Sequence, residues 1–221
     1  MPFHLLPIPI SIALIIAYMI ARNRNNLKRT AIIQPLTTLV ALGITALSLT
    51  STRANPQYTL WILIGMGACF LADIFNIDMT NDKILYAAIA AFVIAYLEYA
   101  VTFTRFNGFQ PQDWWIGLIF FLIYLLLMRL YWKKLGNFKI PVLIYGLVMP
   151  FMVTRAISTL FGTSFSPLPA TLVTLGSLML FAGDVEYGFS RFRSPIKFSI
   201  GSICYAGGQV LIALSCAYFF S

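Results

Sequence analysis

Charge is scarce in this chain: Asp, Glu, Lys and Arg make up 10% of its 221 residues, while hydrophobic residues make up 60%. Soluble domains typically carry about 25% charged residues, so a soluble globular domain is excluded, and a mean hydropathy of +0.85 agrees. Histidine occurs once, as His4. No HExxH metal helix can be built, and no histidine lies deep in an apolar run to activate a serine or cysteine. Cysteine is limited to Cys69, Cys204 and Cys216. They lie in apolar runs without metal or disulfide spacing, so they read as packing residues with no redox role. GxSxG, GxxxxGK[ST] and GxGxxG are absent as well, which leaves serine hydrolase, nucleotide and dinucleotide chemistry without a motif. No cofactor and no metal are expected.

What the chain has is long apolar runs. A helical crossing needs about 20 such residues, and the pattern occurs eight times, at roughly 3–21, 31–49, 58–76, 84–104, 114–132, 139–161, 168–188 and 199–220. The fold class is therefore an all-α membrane protein with eight transmembrane helices, in a single domain over residues 1–221. The first run has no basic residue before it and Arg22, Arg24, Lys28 and Arg29 after it. That is the reverse of a cleavable signal peptide, so the run reads as a retained helix.

The net charge of +8 is an orientation signal. All but three of the 15 basic residues fall in odd-numbered connections between runs; the exceptions are Arg53, Arg105 and Arg155. By the positive-inside rule the odd connections are cytoplasmic and both termini lie outside. The protein is thus an integral multi-pass membrane protein, in the plasma (inner) membrane if its source is bacterial. The connections are too short for a nucleic-acid-binding domain.

Against this apolar background stand Asp73, in GMGACFLADIF, and Asp184, in LGSLMLFAGDVEY, half a chain apart. A carboxylate inside a span costs several kcal/mol and marks a functional-site candidate. Both aspartates lie about 23 Å along inward-running helices, at inner-leaflet depth. Gln34, Pro35, Pro141, Tyr145 and Tyr205 are expected near the same level, forming a polar layer from the second, third, sixth, seventh and eighth helices. Nearer the outer side, Glu98 and Arg155 share a depth and are expected to pair. The Gly–apolar–small–Asp plan of the third and seventh helices suggests a parallel 4+4 repeat, residues 1–111 and 112–221. Ala87, Ala91 and Ala95, with Ser202 and Ala206, form small-residue stripes that predict the fourth and eighth helices at the bundle centre.

Two acids whose surroundings differ let one donate a proton while the other stabilises positive charge or orients water. Membrane carboxylates also serve as proton or cation relays in transporters, so residue chemistry leaves an enzyme and a small proton-coupled or lipid transporter both open. A structural scaffold would leave the acids unexplained.

The order of motifs adds a resemblance. QPL early in the second helix, ADIF and AGDVEY ending the third and seventh, PVLIYGLVMPFMVTRA in the sixth and CYAGGQVLIALS in the eighth resemble the YhhN-like lysoplasmalogenase family over nearly the whole chain. The resemblance implies vinyl-ether hydrolysis of lysoplasmalogens to a fatty aldehyde and a glycerophospho-choline or -ethanolamine. It implies Asp73 and Asp184 as the catalytic pair facing one cavity. Gln34, Tyr145, Tyr205 and Gln209 would be substrate-binding groups, and the expected partners are a lysophospholipid, water and membrane lipid. The sequence departs from the family pattern at Gln34, where a lysine is expected, and at Tyr96, where a histidine is. Ala72 and Gly183 stand before the aspartates in place of glycine and serine.

Overall fold

Each of the eight apolar runs forms a helix. The structure is a computed structural model that describes residues 2–76, 81–194 and 196–220. Its helices are α1 (Ile8–Asn23), α2 (Leu27–Ser48), α3 (Pro56–Phe75), α4 (Asp82–Asn107), α5 (Asp113–Tyr131), α6 (Lys139–Ser158), α7 (Pro167–Phe192) and α8 (Gly201–Ser215). With their flanking 3-10 turns, all eight are long and apolar enough to cross a membrane, and no strand occurs among the described residues.

Local chemistry sets the helix starts. Asn26, Asn55 and Asn81 accept hydrogen bonds from the backbone N–H groups of Arg29, Tyr58 and Lys83 at 3.1, 3.2 and 3.0 Å, satisfying donors that the first turn leaves unpaired. Pro56 and Pro167 open α3 and α7, where a missing N–H costs nothing. Gly108 closes α4 with a φ of 69°, a left-handed conformation that glycine adopts without strain. Trp114 and Trp115 begin α5 and are largely exposed, and Trp132 follows its end under the Lys139 ammonium. These amphipathic rings are separated by about 27 Å of helix, close to the bilayer's hydrocarbon thickness, as expected of interfacial anchors.

α8 is the most buried helix and packs on α1, α2, α3 and α7. Its approach to α7 depends on glycine: a Cβ on Gly208 would lie 2.6 Å from the Gly176 carbonyl oxygen. α4 departs from the expected central position. It packs on α3 and α6 and leaves Ile94, Leu97 and Val101 exposed. Its inner face is Ala88, Ala95, Tyr96, Tyr99 and Phe103, while Ala87 and Ala91 are half-buried. Rings are too bulky for a close-approach stripe, so the partner helix makes the room. A Cβ on Gly65 of α3 would meet the Tyr99 ring at 2.7 Å.

The expected Glu98–Arg155 pair does not form. Arg155, almost wholly buried, pairs instead with Asp113 at the start of α5. It also donates to Thr104 Oγ1 at 2.8 Å and to the Gly108 carbonyl, and lies 4.4 Å from the Phe109 ring centroid. Glu98 is on another face of α4, against Gly65, and its Oε1 has no partner among the described residues. Asn107 of α4 lies beside Ser158 of α6 and Thr104 beside Arg155, so Arg155 stands about 9 Å farther along the bundle than Glu98 and on a different face of α4.

Both termini lie at one end, where His4 and Tyr218 are 3.2 Å apart and the Phe220 N–H donates to the Arg53 carbonyl at 2.8 Å. Basic connections gather at the other end. There Lys134 Nζ donates to the Arg193 carbonyl at 2.6 Å, and Arg22 Nε to Ser199 Oγ at 3.0 Å.

Candidate functional site

Asp73, on the last turn of α3, is fully enclosed. Its Oδ1 accepts from Gln34 Nε2 of α2 at 2.7 Å and Tyr205 OH of α8 at 2.9 Å, and its Oδ2 from Thr38 Oγ1 at 2.5 Å. The Gln34 amide is oriented in turn, because its Oε1 accepts from Tyr18 OH of α1 at 2.9 Å. Three donors on one buried carboxylate make a complete acceptor site.

Asp184, on α7, is held differently. Its Oδ2 accepts from Tyr96 OH of α4 and Tyr145 OH of α6, each at 2.6 Å. The Tyr96 and Tyr145 ring centroids are 5.7 Å apart, and Phe92 lies 6.0–6.4 Å from Tyr96, Tyr145 and Tyr205. This aromatic group spans the two aspartate networks.

The two networks are built alike. Gln34 precedes Asp73 by 39 residues, and Tyr145 precedes Asp184 by 39. Each aspartate also takes a phenol from the last helix of the other half: Tyr205 of α8 for Asp73, Tyr96 of α4 for Asp184. Helix neighbours follow the same order, α2 against α8 and α6 against α4.

A cavity of about 140 Å³ lies among α4, α5, α6 and α7 and extends to Arg22 and Arg191 at the basic end. Asp184, Tyr145, Tyr205 and Gln34 line it, with walls that include Phe92, Leu127, Met149 and Phe181. Asp73 does not line it, contrary to the expectation that both acids face one cavity. Its donors Gln34 and Tyr205 stand in the wall instead, because side chains from α2 and α8 close over the carboxylate. Gln209 also lies apart, one turn beyond Tyr205, where its Oε1 accepts from Tyr99 OH at 3.1 Å. Glu186 has a structural role: it accepts from Ser199 Oγ and, at 3.0 Å, from the Ile200 N–H ahead of α8.

Tyr18, Thr38 and Tyr96 belong to the site and were not singled out as site residues from sequence. Thr38 follows Gln34 by one turn, so it shares that face of α2; this was the available signal. Tyr96 had a signal in standing where the resembled family has a histidine; Tyr18 had none, since tyrosines in apolar helices more often pack than bind.

A family model described as the YhhN family matches residues 29–216, most of the chain. The chain belongs to the YhhN family. Among relatives, the "uncharacterized membrane protein YhhN" of Escherichia coli O6:H1 is 26% identical over 157 residues, covering 70% of this chain and 73% of its own. The proteins of the same description from Escherichia coli O157:H7 and Shigella flexneri match to the same extent. No solved structure matches. The YhhN match begins at residue 29, so α1, with Tyr18 and Arg22, lies outside it.

Proposed function

We propose that this YhhN-family membrane protein hydrolyses the vinyl-ether bond of lysoplasmalogens, with Asp184 as the acid–base group. The observation that carries this reading is one carboxyl group, held by two phenols, lining an otherwise largely apolar cavity among the helices. Vinyl-ether hydrolysis needs a proton donor beside an apolar alkenyl chain and a carboxylate beside the cation that follows; the site supplies both with one group.

Asp184 transfers its proton to the second carbon of the alkenyl chain, turning the C=C–O unit into an oxocarbenium ion. The resulting carboxylate, oriented by Tyr96 and Tyr145, stabilises that cation. It then takes a proton from the water that adds to the first carbon. The hemiacetal collapses as its hydroxyl proton passes to the glycerol oxygen, releasing a fatty aldehyde and the glycerophospho-alcohol. One water is consumed, and Asp184 ends protonated, as it began. Asp73 does not touch the reacting bond in this scheme: it positions Gln34 and Tyr205 in the wall.

The cavity is smaller than the roughly 300–1,000 Å³ of pockets that enclose whole ligands. It would hold the reacting bond and glycerol, while the rest of the chain lies among apolar side chains and lipid.

The deciding experiment incubates purified protein with a lysoplasmalogen and with its saturated alkyl-ether analogue. Fatty aldehyde from the vinyl ether alone is expected. Aldehyde from neither would overturn hydrolysis and favour transport by the same acids.

A further inference from the structure

The basic mouth of the cavity contains more than topology requires. Arg24, Lys28, Arg29 and Arg193 lie in the same connections as Arg22 and Arg191, yet none of the four lines the cavity. Arg22 and Arg191 do. Arg22 is half-buried and held in place: Nε donates to Ser199 Oγ at 3.0 Å and the guanidinium lies 5.8 Å from the Tyr187 ring centroid. Its terminal amino groups make no hydrogen bond to the described residues.

The platform beneath Arg22 is braced. Asn23 Nδ2 donates to the Ser199 carbonyl at 2.9 Å, the Ser199 N–H donates to Asn23 Oδ1 at 2.8 Å, and Glu186 accepts from Ser199 Oγ. This joins the end of α1 to the connection between α7 and α8. A guanidinium fixed in advance loses little freedom on binding and offers paired N–H groups that match phosphate oxygens.

We infer that Arg22 and Arg191 form a subsite for the phosphate ester of a single-chain lipid head group, two helical turns from Asp184. Asp184, Gly188 and Arg191 share one face of α7, where the absence of a side chain at Gly188 makes room for the Tyr131 ring, which also lines the cavity. Seven residues separate Asp184 from Arg191, roughly 10 Å, and helical side chains lean toward the N-terminus, which brings the arginine back toward Asp184. In a glycerophospholipid ether, about six bonds join the first chain carbon to phosphorus. At the ~1.2 Å per bond of an extended chain that is roughly 7 Å, so a lipid held at phosphate would present its ether bond to Asp184. The inference rests on the proposed hydrolysis only for which bond lies there.

The test is a binding titration of the full-length protein in nanodiscs. The ligands are a non-cleavable 1-O-alkyl-glycero-3-phosphocholine, the matching 1-O-alkylglycerol, glycerophosphocholine and inorganic phosphate. The phosphate-bearing ether is expected to bind roughly tenfold or more tightly than the alkylglycerol, about 1.4 kcal/mol. Arg22→Gln and Arg191→Gln should each shrink that preference and together abolish it, with alkylglycerol affinity unchanged. Arg24→Gln with Arg193→Gln should leave it intact. A preference that survives the double variant, or falls together with alkylglycerol affinity, overturns the subsite. Free phosphate or glycerophosphocholine binding as tightly as the lipid overturns its assignment to a lipid head group. If the arginine-dependent preference is present but lysoplasmalogen yields no aldehyde, hydrolysis fails and the subsite stands.

Discussion

Asp184 and Asp73 are both carboxyl groups within the helical bundle, and their neighbours give them different roles. Asp184 lines the cavity and is oriented by two phenols, so Asp184→Asn should lower aldehyde formation roughly 10²- to 10⁴-fold, the usual contribution of a general acid, in a protein that still folds. Tyr145→Phe removes one hydrogen bond to a charged group and should cost roughly tenfold to a hundredfold in turnover. Wild-type turnover in either variant would sink the catalytic assignment. Asp73 takes three hydrogen bonds away from the cavity. Asp73→Ala should therefore act first on stability, lowering the thermal midpoint by the equivalent of a few kcal/mol as Gln34, Thr38 and Tyr205 lose an acceptor. An unchanged midpoint would show that this network is not structural.

At the scale of elements, the sharpest constraint is the crossing of α7 and α8, where Gly176 and Gly208 bring two backbones together. Gly208→Val places a side chain against a carbonyl that cannot rotate away, and should destabilise by roughly 1–3 kcal/mol or more, read by thermal unfolding in detergent. Asp113 at the start of α5 and Glu98 on α4 offer a paired comparison. Asp113→Asn removes the charge opposite nearly buried Arg155 and should cost roughly 3 kcal/mol, since Thr104 and the Gly108 carbonyl remain as partners. Glu98→Gln removes a charge with no ion-pair partner among the described residues and should stay within about 0.5 kcal/mol of wild type. Equal losses would mean that depth rather than pairing governs both.

For the whole molecule, the two halves are interlocked by exchange: each lends a tyrosine from its last helix to the other half's aspartate. The basic connections and the termini lie at opposite ends, and the charge rule assigns the basic end to the cytoplasm. A single cysteine at Lys28, in a background with the three native cysteines replaced, should react with an impermeant maleimide only after the membrane is opened. One placed at Arg53 should react in intact cells. The reverse pattern would invert the orientation and put the cavity mouth on the outer side.

Helix number, approximate boundaries and the two intramembrane aspartates were legible in the sequence because each depends on properties local to a run: its length and its hydropathy. The likeness of the acid segments was legible too, as a shared motif in the third and seventh helices. The direction each side chain faces was not. Arg155 selected Asp113 over Glu98, α4 turned Tyr96, Tyr99 and Phe103 inward beside Ala95 while Ala87 and Ala91 stayed half-buried, and Asp73 was closed off while Asp184 met the cavity. Arg22 joined Arg191 from the far end of the chain. Hydropathy sets how deep a residue lies, whereas its azimuth and partner follow from helix packing, where bulk on one helix is met by glycine on another. The sequence alone therefore determined an eight-helix membrane protein with two intramembrane aspartates. Only the packing decided which acid meets a ligand and which supports the wall behind it.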